Sequence, residues 1–327
     1  KRQDTGIITA PQIKICGAAV RKADERNMKR NKWPYLFCAP FLLAYALFMV
    51  FPMCYSFFLS LYDYNGIVEK HFVGLTNYVT ILTKDRLFWK ALGNTVLIMG
   101  MSLPVNLLLG LIIAYLLFRL AKGRRLFQVV NFLPYITTPV AIGFIFSYIF
   151  DWHSGIFNSI LVHIGILNEN YYWLQHPWSS RIIVALMIVW RNLGYCVTIY
   201  LSGMTAISKE VYEAASIDGA SKWRTLWSIV VPLLKNTLIF LFITSMIGGF
   251  QMFDEPVQLY SGWSAAARNI GGPDYSVLTM IWKFYDDSFG SNTRLGYGAA
   301  IAYILFVIIG ACSLISFLVS SKKEKDA

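Results

Sequence analysis

The chain has 327 residues, 56% of them hydrophobic and only 14% charged, with a formal net charge of +11. A charged fraction well below the roughly 25% of soluble domains excludes an ordinary water-soluble globule and makes the bilayer the solvent. The positive excess does not read as a nucleic-acid surface, because the Lys and Arg residues sort between apolar runs and form no stripe.

Residues 1–34 are polar and basic, a cytoplasmic tail whose cations can rest on lipid headgroups. Six runs then reach the roughly 20 apolar residues that a spanning helix needs, since hydrocarbon offers no partner to the backbone. They lie near 35–61, 93–118, 126–150, 181–203, 226–250 and 296–319, giving a membrane domain at 35–320 and a basic C-terminus at 321–327. Pro34 and Pro40 punctuate the entry to the first run, and Pro52 is expected to kink it. That run is too long for a cleaved signal peptide and no small-x-small site follows it. A shorter run at 155–167 reads as a re-entrant or surface helix. With the N-terminus inside, nineteen Lys and Arg fall on the inner side against eight outside, so the positive-inside rule puts both termini in the cytoplasm.

The first outer loop carries Phe72-Val73-Gly74-Leu75-Thr76-Asn77-Tyr78. Span three contains Asn131-Phe132-Leu133-Pro134-Tyr135 and Pro139, a polar and proline-interrupted pattern that needs protein neighbours to take the freed carbonyls. Loop 151–180 holds His153, His163 and His176 among many aromatics; a metal site is one reading, and interfacial or loop packing is the preferred one. The cysteines (Cys16, Cys38, Cys54, Cys196, Cys312) have no paired spacing, which argues against disulfides and zinc.

Span four presents Trp190-Arg191-Asn192, with Tyr195 beyond. A charge at that depth costs on the order of 2.5–3.5 kcal/mol on insertion scales, so Arg191 must face protein, water or ligand. Trp190 and Asn192 beside it suit a sugar, whose ring faces stack and whose hydroxyls need donors and acceptors. The alternative, weighted equally, is an Arg191 paired with a carboxylate of this chain or of a partner. Asp254 and Glu255 fall outward of span five, as a gate or a docking contact, though solvated loop charges are the commoner case.

Between spans four and five stands Glu213-Ala214-Ala215-Ser216-Ile217-Asp218-Gly219, and after nine intervening residues Ile229-Val230-Val231-Pro232. Ser208 is placed to cap a short helix, Glu210 to complement its positive end, and Gly219 to end it in the left-handed conformation. The outcome is a rigid knob. No G-x-x-x-x-G-K-[ST] phosphate cradle occurs in the chain, so ATP chemistry must reside elsewhere.

This spacing resembles the E-A-A, three residues, G, nine residues, I-x-L-P signature of permease subunits in binding-protein-dependent ATP-binding-cassette importers, with Val231 in place of the usual Leu. The 72–78 segment, Gly271-Gly272-Pro273 and Gly296-Tyr297-Gly298-Ala299-Ala300 are similar to segments of the maltose and multiple-sugar group, from which the chain departs by an insertion near Trp263 to Ile270. The resemblance implies an all-α integral membrane protein of six transmembrane helices with a cytoplasmic coupling helix between helices four and five. It implies ATPase coupling through Glu213, Ala214, Ala215, Asp218, Gly219, Ile229 and Pro232. A substrate pathway is implied near Ser245, Gly248, Gly249, Gln251 and Met252 of span five, with Trp190, Arg191, Asn192 and Tyr195 of span four as further candidates. Gly248 and Gly249 either widen the cavity or allow close helix contact, the latter being preferred.

The implied partners are a second, homologous permease, two ATPase subunits that hold ATP and Mg, an extracytoplasmic solute-binding protein and a carbohydrate, at the plasma membrane. The chain itself is expected to carry no cofactor and to catalyse no reaction. Rival readings are an importer of glycerol phosphate or peptide, with Arg191 binding an anion, and a membrane-embedded transferase. The second is disfavoured because no His, Asp or Glu lies in the assigned spans.

Overall fold

The computed structural model describes residues 33–67, 69–120, 122–261, 270–291 and 293–325. The tail through residue 32, the insertion at 263–269 and the last two residues lie outside the described residues. The chain divides into two compact units at Phe58.

In the first unit, α1 (Trp33–Tyr45) passes through a π turn at Ala46–Val50 into α2 (Phe51–Ser60), whose last two residues belong to the second unit. The amide of Phe51 reaches back five residues to the Ala46 carbonyl. That slip accommodates Pro52, which has no N–H to offer the Phe48 carbonyl. The helix stays continuous, and Tyr35–Ser60 is long and apolar enough to cross a membrane.

The second unit is built on two long helices packed side by side, α4 (Arg86–Arg119) and α8 (Pro177–Ala206). They approach closely at Gly110, where a Cβ would stand 2.9 Å from that of Cys196. α15 (Leu295–Lys325) is a third unbroken apolar helix here, and its backbone carries the basic C-terminus as helix through Lys325.

Spans three and five are bent pairs. α5 (Arg124–Ile136) and α6 (Pro139–Ile149) meet at 95° across Thr137 and Thr138. Both threonines are extended, and for Thr138 the clash of Pro139 with the residue before it favours that conformation. Span five starts as α10 (Lys222–Thr225), a π turn at Leu226–Val230 and α11 (Val231–Leu233), then turns 74° at Leu234 into α12 (Lys235–Phe250). Pro232 again coincides with the loosened hydrogen-bond ladder. Counting each bent pair once, the described residues hold six candidate spans.

Short elements decorate the ends: β1 (Tyr62–Asp63) pairs antiparallel with β2 (His71–Phe72), followed by α3 (Thr76–Thr83). This two-stranded ribbon is the departure from all-α structure among the described residues. Asn77 donates to the Ser60 and Tyr62 carbonyls at 2.9 and 3.0 Å, and Tyr78 bonds the Ser60 hydroxyl at 2.7 Å. The 72–78 motif is therefore a stitch that fastens the loop. Further along come α7 (Ile156–His163), α9 (Lys209–Ile217), α13 (Asp254–Ser261), a 3₁₀ turn at Pro273–Tyr275 and α14 (Met280–Phe289). α7, with eight residues, is too short to span.

Loop 151–176 is organised by buried Asn158, which donates to the Asp151, Trp152 and Tyr171 carbonyls and accepts from the Tyr171 amide and the Trp173 indole. His176 stacks on Tyr171 and His153 packs edge-on to Trp152, so both work as packing rings.

Candidate solute pathway and coupling elbow

A cavity of about 610 Å³ opens between α4, α5, α8, α12 and the turn into α13. Ile188, Arg191, Asn192 and Tyr195 reach it from α8 at the i, i+3, i+4, i+7 spacing of one helical face. α12 contributes Thr244, Ser245, Gly248 and Gly249, and Gln251 and Met252 follow in the turn. Of the residues singled out in the sequence, Arg191, Asn192, Tyr195, Ser245, Gly248, Gly249, Gln251 and Met252 are thus brought together. Trp190 is not. One residue is about 100° on a helix, and its ring turns away to pack 5.7 Å from Phe146 at 39% exposure.

The two glycines serve different ends. A Cβ at Gly249 would press on the Met99 side chain at 2.7 Å, so that glycine permits contact with α4. At Gly248 nothing lies within 4 Å, and this glycine leaves the cavity open.

Arg191 donates from Nη1 to Glu255 Oε1 at 2.6 Å, and Glu255 is buried at 6% exposure. This corrects the placement of Glu255 outside the span. α12 ends at Phe250 and the chain doubles back, so that α13 packs on α6 and α8 and returns the carboxylate to the depth of Arg191. The pairing supplies the carboxylate of this chain that one of the two readings of Arg191 called for, while Arg191 still lines the cavity.

Among the described residues, two buried polar atoms of residues that line the cavity lack a partner. Asn106 is buried and its Oδ1 meets no partner among the described residues; the same holds for Arg191 Nε. Tyr135 and Tyr195 stack at 5.3 Å with planes 19° apart, giving an aromatic wall. Asn106, Ser102 and Tyr135 were not picked out as site residues. Ser102 and Asn106 sit four apart in an otherwise apolar span, a signal visible in the sequence.

On the other side of the bundle, α9 makes the predicted knob. Gly219 has φ +70°, the Ala220 amide bonds the Ala215 carbonyl at 2.9 Å and the Gly219 amide bonds Ser216 at 3.2 Å, which is a Schellman stop. Ser208 occupies the N-cap but caps no amide. Its hydroxyl goes to Glu210 instead, and the carboxylate, bonded by its own backbone N–H and by Ser208, is held below the usual carboxylate range. Ala215 is buried within this chain, so it anchors the knob, whereas Glu213, Ala214, Asp218 and the 86% exposed Ile217 form its outer surface. Tyr115 near the end of α4 donates to the Lys222 carbonyl at 2.8 Å and ties the segment after α9 to the bundle.

Residues 106–322 match the model of the binding-protein-dependent transport system inner membrane component family. The chain belongs to that family. As a permease component it is a multi-pass membrane transport subunit and not an enzyme. It is 32% identical over 305 residues to the lactose transport system permease protein LacF of Rhizobium radiobacter, covering 93% of this chain and 98% of that one. Identity to the arabinooligosaccharides permease AraP of Bacillus subtilis is 34% over 293 residues, 88% of each. The fold is similar to a chain of a solved bacterial ABC transporter for the acidic polysaccharide alginate, with TM-score 0.76, 20% identity and coverage of 91% and 98%. A second solved neighbour, in complex with an alginate pentasaccharide-bound periplasmic protein, gives TM-score 0.71 at 20% identity, covering 90% and 94%.

Proposed function

We propose that this permease subunit moves an oligosaccharide inward across the plasma membrane by alternating access, driven by ATPase subunits that dock on α9. The observation that carries the reading is a roomy cavity lined by polar side chains with an aromatic wall, set in the same helices that lead to an exposed knob. Saccharides suit such a site because hydroxyls both donate and accept while ring faces stack on tyrosine. The lactose and arabinooligosaccharide permeases among its relatives support the substrate class.

In this reading both termini and α9 face the cytoplasm, as the distribution of Lys and Arg favours. A second, homologous permease completes the pathway, two ATPases hold ATP and Mg, and an extracytoplasmic binding protein delivers the solute. Glu213, Ala214, Ile217 and Asp218 offer the ATPase an apolar tip flanked by charge, while Gly219 and Pro232 fix the knob's direction. Solute moves because the inward and outward states bind it with different affinity.

The test is uptake into proteoliposomes that contain the assembled complex and the binding protein. Oligosaccharide accumulation that requires external binding protein and ATP trapped in the lumen is expected, from complexes inserted right-side-out. Uptake by this chain without an ATPase, or labelling of an Ile217→Cys variant only from the outside of intact cells, overturns the proposal.

A further inference from the structure

We infer that Glu255 sets the charge selectivity of the pathway, holding Arg191 so that uncharged glycans are accepted and anionic ones, uronates or phosphorylated sugars, are refused. This deepens the solute-pathway reading and rests on it. Fold alone leaves the question open, since the solved neighbours include an importer of an acidic polysaccharide.

Among the described residues lining the cavity, Arg191 is the one cation, and Glu255 and Asp254 are carboxylates. The lining therefore carries no net positive charge. An anion could take Arg191 only by displacing Glu255, which would leave a buried carboxylate without its partner, the costliest way to break such a pair. Asp254 adds like-charge repulsion. A hydroxyl meets neither obstacle. It needs no counter-charge and can bond neutral polar residues of the lining such as Asn192, Ser245 and Gln251.

Glu255→Gln removes one negative charge and keeps the shape. The assay is made on the assembled complex in nanodiscs with a Ser245→Cys probe, modified by a sulfonate-bearing and by a trimethylammonium-bearing methanethiosulfonate and followed at that site by mass spectrometry. With Glu255 present the cationic reagent is expected to react faster. Glu255→Gln should shift the rate ratio at least about tenfold toward the anionic reagent, given the strength of a unit charge at such range in a protein. Should Glu255→Gln fail to assemble, Arg191→Gln reads the same balance from the other side and should shift the ratio about tenfold toward the cation.

The second measurement compares binding of a glucose trisaccharide with that of its C6-oxidised uronate counterpart. Glu255→Gln is expected to raise the uronate-to-neutral affinity ratio at least about tenfold, and adding Arg191→Gln to abolish the gain. An unchanged reagent ratio in the assembled variants overturns the inference, whatever the complex transports. A shifted reagent ratio with no change in glycan preference also overturns it, and places the failure in the solute-pathway reading.

Discussion

Gly194 of α8 faces the carbonyl of Asn131 in α5 so closely that a Cβ at that position would overlap the oxygen. Backbone meets backbone there, with no flexible side chain to yield. Gly194→Ala is therefore expected to destabilise the assembled bundle by about 1–3 kcal/mol or more, the usual range for overpacking. Gly248→Ala, where nothing lies within 4 Å, should leave stability unchanged. Thermal unfolding of the two variants in the same detergent checks the contrast.

At the N-terminus of α4, Asp85 caps the Leu87 and Phe88 amides, accepts from the Tyr297 hydroxyl at 2.7 Å and pairs with Lys283 at 2.9 Å. Burial pushes its carboxyl up, but the bonds from Tyr297 and Lys283, the charge of Lys283 and the Phe88 amide outweigh it and hold it below the usual range. A carboxyl with a lowered folded value contributes stability above its unfolded value, near 3.9, and loses it as pH falls through the folded value. Stability should thus be insensitive to this group from pH 8 to 5 and fall below about pH 4. Asp85→Asn should cost about 1.5–3 kcal/mol at neutral pH and flatten the acid limb, read from unfolding midpoints across pH.

Asn106 offers a contrast between folding and transport. A buried acceptor without a partner carries a penalty of about 1–3 kcal/mol, so Asn106→Leu should hold or raise stability. The same change removes a polar residue from the lining of the cavity. Solute-stimulated ATPase should then fall about tenfold, the equivalent of one hydrogen bond. Equal losses of stability and stimulation would show a purely structural role.

For the elbow, the φ of +70° at Gly219 cannot be adopted by proline, whose ring fixes φ near −65°. Gly219→Pro and Glu213→Lys are expected to abolish solute-stimulated ATP hydrolysis while membrane insertion persists. Gly219→Ala, which only strains the turn, should act mildly because no atom lies within 4 Å of the added carbon. ATPase rates of the purified complexes, beside a fractionation of the membranes, check the series.

Asn158 tests the outer loop. Asn158→Ala strands three carbonyls, the Tyr171 amide and an indole N–H at once, and a loss of about 2–4 kcal/mol confined to loop 151–176 is expected. Hydrogen exchange of that loop, with the remaining helices unchanged, is the measure.

Much of this was legible in the sequence because the bilayer simplifies the code: apolar run lengths located the spans, and an exact motif spacing located the knob. Helical periodicity also ties Arg191, Asn192 and Tyr195 to one face. What escaped was tertiary. Trp190 adjoins Arg191 in sequence yet points elsewhere, since neighbours on a helix diverge. Glu255 was placed outside because linear reading cannot show a chain doubling back after Phe250. Pro134 and Pro139 announced an interruption of span three, but the 95° turn there and the 74° turn at Leu234 depend on which neighbours receive each half.

The corner at Leu234 has a mechanical corollary. A straight span struck from below would slide like a piston, whereas two rods joined at 74° convert a thrust on one into rotation of the other. At about 1.5 Å per residue the lower arm is about 18 Å long and α12 about 24 Å, so a push near Lys222 becomes a slightly larger sweep at Phe250. Gly248 and Gln251, riding at the far end of that crank, would travel farther than the cavity residues nearer the corner.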